Sequence, residues 1–275
     1  PLDILIKASN GASDFGNKFG QPLISGSLFT FEHEENGTRI GYDKVIMQAG
    51  GIGYANRNHS KKHIPQNGDL IVILGGDNYR IGMGGAAVSS ADTGVFKSGI
   101  ELNAIQRSNP EMQKRVANAI RSLCEQINNP IISIHDHGAG GHLNCLSELV
   151  EETGGEIIIN KLPLGDPTMS DKEIIGNESQ ERMGLIIAKK DINILKDICK
   201  RERAPIYVVG EVTGDKHFTF INTKTSQKPI NLDLKSLFGN PPKTLIKDYT
   251  SKQNFSQIDL SGDPKLILSK VLMLE

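Results

Sequence analysis

The run Asp69-Leu70-Ile71-Val72-Ile73-Leu74-Gly75-Gly76 (DLIVILGG) decides the fold class. It is apolar, β-branched, of strand length and stopped by a glycine pair, which reads as a buried strand. Downstream, strands and helices alternate. Ser108-Asn109-Pro110-Glu111 opens a helix, with Ser108 as the cap, Pro110 in the first turn and Glu111 completing a capping box. Met112, Val116, Ile120, Leu123 and Ile127 recur at helical spacing, so this helix turns one face to a sheet. Asn128-Asn129-Pro130 stops it, and Ile131–Ile134 is a short strand. A second helix spans about 142–152, with Leu143, Leu146, Leu149 and Val150 inward and Gly154-Gly155 at its end. Ile157–Ile159, Met183–Ala188 and Ile206–Val209 read as strands, and Asp191–Arg203 as an amphipathic helix. This is α/β material with a mixed sheet.

Upstream of the deciding run, residues to about Gly53 mix turn signals with strand-like stretches at Leu23–Phe31 and Lys44–Ala49, and Asn56–Gly68 is a polar connection. After Asn222 the chain is polar until an apolar helix at Pro264–Leu274. The length of 275 residues suits one large domain or two modest ones. With 31 basic and 32 acidic side chains, net charge −1, there is no global attraction to nucleic acid or an anionic membrane. No run approaches the roughly 18 apolar residues of a membrane span. Pro1-Leu2-Asp3 does not begin a signal peptide, and the lack of an initiator Met suggests a piece of a longer protein. Cys124, Cys145 and Cys199 are odd in number and without metal-type spacing, as in a reduced, cytoplasmic protein.

The chain is rich in glycine, with 29 residues clustered at the ends of apolar runs, where backbone must turn sharply or approach a ligand. Three segments stand out. Gly75–Ser90 can aim backbone N–H groups at an anion, although a tight turn needing small residues has the same composition. Ile134-His135-Asp136-His137-Gly138-Ala139-Gly140-Gly141-His142 runs from a strand end through glycine into a helix, where open α/β folds bind ligands. Asp136 offers an oxygen ligand suited to Mg²⁺, and His135, His137 and His142 also permit zinc. Asn177-Glu178-Ser179-Gln180-Glu181-Arg182 reads either as a solvated loop or as a carboxylate, hydroxyl and amide that hold a hydroxyl-rich ligand. Gln106 precedes the capped helix, where a side chain can meet a ligand over the helix N-terminus.

Together with Gly11–Pro22 (GASDFGNKFGQP), Gln48–Gly53 (QAGGIG), Ile105–Met112 (IQRSNPEM) and Cys199–Pro205 (CKRERAP), these segments resemble, in order, the phosphoribosylformylglycinamidine synthase family. The resemblance covers about three-quarters of the chain, to about Val212. It implies an ATP-dependent ligase of purine biosynthesis, a glutamine amidotransferase. The family converts formylglycinamide ribonucleotide, ATP and glutamine to formylglycinamidine ribonucleotide through an iminophosphate that ammonia displaces, with Mg²⁺ neutralising the transferred phosphoryl group. By position, Asp136 matches a magnesium ligand, and Gln106, Glu178, Ser179 and Gln180 match substrate contacts. Ser25, Gly26 and Ser27 fall where some members touch nucleotide.

The implied architecture is a partial ferredoxin-like, ATP-binding domain over residues 1–64. An α/β domain of the aminoimidazole ribonucleotide synthetase C-terminal type would follow over 65–222, then a linker and lead-in helix over 223–275. The remaining synthase and glutaminase domains would lie outside this sequence, leaving the chain inactive alone and with an apolar face available for self-association. Two positions depart from the family. Ala86 stands where the glycine loop usually has glycine, and His137 occupies a variable position to which no role carries over. Two other readings remain open: a non-catalytic, nucleotide-binding structural module of the same superfamily, and a zinc hydrolase.

Overall fold

The computed structural model describes residues 2–21, 23–24, 26–41, 46–48, 50, 54–91, 95–104, 109–179, 181–239, 242–247 and 262–273. The chain divides into two units, Pro1–Gly239 and Asn240–Glu275. The second carries one described helix, Pro264–Val271, capped by Asp263.

Unit one opens with helix α1 (Leu2–Phe19), then four short strands: β1 (Ser27–Phe29), β2 (Glu32–Glu35), β3 (Thr38–Gly41) and β4 (Ile46–Gln48). β1 pairs with β4, and β2 with β3, each antiparallel. The β2–β3 hairpin turns at Asn36-Gly37, both at positive φ (51° and 75°), as its two-residue loop demands.

The rest of the unit is built on β5 (Leu70–Leu74), all five of whose residues are buried. Helices α2 (Gly85–Ser89), α3 (Ser98–Ala104) and α4 (Pro110–Cys124) follow, then β6 (Ile131–Asp136), α5 (Gly141–Leu149) and β7 (Gly155–Ile158). Next come α6 (Asp171–Gly176), β8 (Met183–Ile187), α7 (Ile192–Glu202), β9 (Ile206–Val212), β10 (His217–Asn222), β11 (Gln227–Asp233) and α8 (Leu234–Phe238). Seven strands form one sheet in the order β11-β10-β7-β9-β5-β8-β6. Only the β7–β10 pair is parallel, so the sheet is mixed, as the sequence predicts.

Alternation along β5 divides the core between the two faces of the sheet. Ile71 and Ile73 pack with Leu146, Leu149, Ile157, Phe218 and Phe220, while Leu70, Val72 and Leu74 pack with Val116, Leu123, Leu185, Leu195 and Cys199. α5 therefore covers one face, and α4 and α7 the other. Burial pushes the Cys199 thiol up to about 12.

Several local expectations change. The cap of α4 is Asn109, whose side chain accepts the Met112 N–H at 3.0 Å, while Ser108 lies outside the described residues. Asparagine caps as well as serine, and Pro110 then occupies the first helical position. Ile127 lies past the end of α4 and is 91% exposed. The polar stretch after Asn222 contributes an edge strand, β11, antiparallel to β10 and containing Pro229. α1 replaces the turn-rich reading of the first twenty residues. No described helix is long and apolar enough to cross a membrane.

Phe218 and Phe220 are fully buried on β10, their rings edge-to-face at 5.3 Å. Phe220→Ala is expected to lower stability by about 3–5 kcal/mol. Denaturant unfolding checks this, and a loss under about 1 kcal/mol would contradict a rigid core at that position.

Candidate functional site

Strand register gathers the glycine segments. Met183, the first residue of β8, pairs with Leu74 at the end of β5 and with Asp136 at the end of β6. The loops leaving β5 and β6 and the segment entering β8 therefore meet at one end of the sheet. The start of β9 joins them, since Leu74 also pairs with Ile206 and the Gly75 N–H donates to Pro205 O at 3.1 Å.

Asp136 sits at this end with its side chain 69% exposed; its Oδ1 is 3.5 Å from His135 Nδ1, and His135 Nε2 is 2.6 Å from Glu148 Oε2. Glu178 and Ser179, by contrast, are buried. The Gly140 N–H donates to Glu178 Oε1 at 3.2 Å, and the Glu178 N–H donates to Gly82 O at 2.9 Å. A Cβ on Gly85 would lie 2.7 Å from Glu178 Oε2, so the carboxylate fits between two glycine loops. The Ser179 N–H donates to His137 O at 3.3 Å, tying the triplet to the Asp136 loop. The Ser179 hydroxyl is enclosed and has no hydrogen-bond partner among the described residues, a costly state that in a native fold calls for an explanation.

The structure thus brings Asp136, Glu178 and Ser179 together. Gly26 and Ser27 are exposed on the β1–β4 ribbon, where Ser27 pairs with Gln48. Ser25, Gln106 and Gln180 lie outside the described residues, as do Ala49 and Gly51–Gly53 of the QAGGIG segment.

Sequence reasoning passed over a polar cluster beneath these loops. Asn78, His137, His142, Asn177 and Arg182 are all buried. The Arg182 guanidinium donates to Asn78 Oδ1, to His142 Nε2 (3.0 Å), and to both Asn177 O and Asn177 Oδ1 (2.7 Å each). His142 Nδ1 lies 2.9 Å from His137 Nε2. Burial first, then the Arg182 charge, holds both imidazoles well below their ordinary range, so both are neutral. The cluster's only local trace in the sequence is a polar run, 177–182, between the apolar Ile174-Ile175 and Met183–Ile187, a pattern that a solvated loop shares.

This geometry also bears on zinc. His142 Nε2 and His137 Nε2 are occupied by protein hydrogen bonds beside a guanidinium cation, and among the described residues no three His, Cys, Asp or Glu side chains form a metal-holding group. Asp136 suits Mg²⁺ better: it is one exposed, hard oxygen donor, and Mg²⁺ takes few protein ligands and completes its shell with water and phosphate. A groove of about 1110 Å³, lined by Arg57, Lys61, Lys62, Arg121 and Ile131–Ile134 among others, runs beside β6 and holds none of the predicted site residues.

A strap orders the loop after β5 from outside. Arg80 Nε is 2.9 Å from Glu173 Oε1, and its NH2 donates to Thr168 O at 3.0 Å. Ser170 and Glu173 close a capping box on α6.

A mixed sheet covered on both faces, with glycine-walled loops gathered over buried polar groups at one end, defines an α/β domain with its candidate site at that end. Residues 66–222 match the family described as AIR synthase related protein, C-terminal domain, and the chain belongs to it. Over 92% of its length it is 44% identical to a phosphoribosylformylglycinamidine synthase of Dictyostelium discoideum, bearing out the resemblance read from the motifs. The chain spans about a fifth of the length of the curated relatives it matches. In fold it is similar to T. maritima PurL complexed with FGAR (TM-score 0.68, 24% identity, 90% of this chain and 40% of that one). It is also similar to T. maritima PurL complexed with ATP (TM-score 0.62, 21% identity, 96% and 40%).

The Arg80 guanidinium, then Ser170, lower the Glu173 carboxyl from its ordinary 4.5 to about 2. Because the folded value lies below the unfolded one, the strap's contribution is fully present above pH 4.5 and is lost as pH falls toward 2. The stability difference between wild type and Glu173→Gln is therefore expected to shrink across that window. A difference that stays constant in pH-dependent unfolding would show that the carboxylate charge contributes nothing.

Proposed function

We propose that this chain is part of the ATP-dependent carbon–nitrogen ligase that makes formylglycinamidine ribonucleotide from formylglycinamide ribonucleotide and glutamine-derived ammonia, in the cytoplasm. One observation carries the reading: the register of β8 holds the Asp136 loop and the Glu178–Ser179 segment against each other at one end of the sheet. The names of the relatives support it, as do solved neighbours complexed with FGAR and with ATP.

In this reading Glu178, Ser179 and Gln180, with Gln106, hold the ribonucleotide, and Ser25, Gly26 and Ser27 contribute to the nucleotide side. Glu178, kept between Gly85 and Gly140, is pre-oriented to accept hydrogen bonds from substrate hydroxyls. Ser179 gains there the partner its hydroxyl lacks. The amide oxygen of the substrate attacks the γ-phosphorus of ATP, ADP leaves as the β,γ bond breaks, and loss of the amide N–H proton gives an iminophosphate. Ammonia then adds to the carbon bearing the phosphorylated oxygen, gives up a proton, and the C–O bond breaks so that phosphate leaves with the oxygen. Asp136 would hold Mg²⁺, which when bound supplies positive charge to the phosphoryl oxygens.

Residues 1–64 would close an ATP-binding ferredoxin-like domain, residues 65–222 would form the synthase domain, and residues 223–275 would lead to further synthase and glutaminase domains of the same polypeptide.

In the full-length enzyme, Asp136→Ala is expected to lower ammonia-dependent synthesis at least about a hundredfold, the scale of several kcal/mol of charge stabilisation. Near-normal rates in a steady-state assay would refute the assignment of Asp136. The 275-residue chain alone is expected to release no ADP above background when given ATP, Mg²⁺, ammonia and the ribonucleotide; turnover in a coupled assay would refute its dependence on the other domains.

A further inference from the structure

The described residues on either side of Gln180, Asn177–Ser179 and Glu181-Arg182, are braced by Arg182. The Arg182 side chain folds back five positions to donate to Asn177 O, and the Arg182 N–H donates to Ser179 O at 3.3 Å. The Arg182 carbonyl accepts the His137 N–H, also at 3.3 Å. Arg182 thus ties Asn177, Ser179 and the His137 backbone together on one side of Glu178 and Ser179, while Gly82 and Gly140 hold Glu178 from the other.

What holds the guanidinium is equally specific. The Asn78 amide donates from Nδ2 to Pro163 O at 2.8 Å, which leaves its Oδ1 for Arg182. His142 Nε2 faces two donors, Arg182 NH1 at 3.0 Å and Asn78 Nδ2 at 3.1 Å, so it must accept. The His142 hydrogen then sits on Nδ1 and is donated to His137 Nε2, leaving the His137 hydrogen on Nδ1. The two rings stand nearly perpendicular, their centroids 4.7 Å apart. A buried guanidinium whose acceptor is removed is left under-solvated and shifts to recover partners.

We propose that Arg182 is a positioning residue for Glu178 and Ser179, and that His142, oriented by His137, is the acceptor that keeps Arg182 in place. The substrate part of this proposal rests on the function proposed above; the structural part does not.

The test compares His142→Leu, which removes the acceptor, with His142→Gln, whose amide oxygen can replace Nε2, both in the full-length protein. Hydrogen exchange of peptides covering 177–183 is expected to be at least about tenfold faster in His142→Leu and within about threefold of wild type in His142→Gln, with β5 unchanged in both. The KM for formylglycinamide ribonucleotide is expected to rise about tenfold in His142→Leu, with kcat within about threefold and the KM for ATP unaltered, and to return toward wild type in His142→Gln. Equal impairment of the two variants, or unchanged exchange in His142→Leu, would overturn the proposal. If His142→Leu does not fold, wild-type exchange in His142→Gln supports the acceptor role and accelerated exchange overturns it. A wild-type protein that makes no amidine from the ribonucleotide would sink the functional reading, while the exchange comparison would still decide the role of Arg182.

Discussion

The register of β8 is the constraint on which the rest depends. Its side chains alternate between two cores, Leu185 and Ile187 on one face and Ile186 on the other. A slip of one residue against β5 would exchange those faces, putting two side chains where one now packs and one where two do, and so mismatch both cores. The same register sets Met183 between Leu74 and Asp136, and so decides which loops meet. Core packing and site geometry are one decision made by the same five residues.

Above that register the site is assembled from backbone and small residues. Gly141 has φ +57°, and a Cβ there would come within 2.4 Å of Asn177 O. Gly82 stands in the same relation to Glu178 O, at 2.3 Å. Side chains at these positions would push Asn177 and Glu178 out of line, which gives the glycines of these loops a steric cause.

Much of the sheet was legible because periodicity is a local signal. β5, α4, α5 and α7 were readable from apolar spacing alone, and strand ends followed by glycine picked out the loops that meet at one end of the sheet. α1 was not, because Gly11 and Gly16 look like turn residues although the helix accommodates them. β11 was hidden for the opposite reason: most of its residues are exposed, and an outer strand needs no apolar alternation. The cluster around Arg182 was beyond local reading. Asn78 and Arg182 are 104 positions apart, and nothing in either neighbourhood names the other. Only the fold says that a polar run between two apolar elements is enclosed.

The outer strands have a further consequence. A sheet with a free edge is a template on which another chain can lay a strand. Pro229 removes one backbone donor from β11. At the opposite margin the His63 N–H already occupies Ile132 O of β6. The molecule therefore guards itself at both borders against growing into a larger, shared sheet.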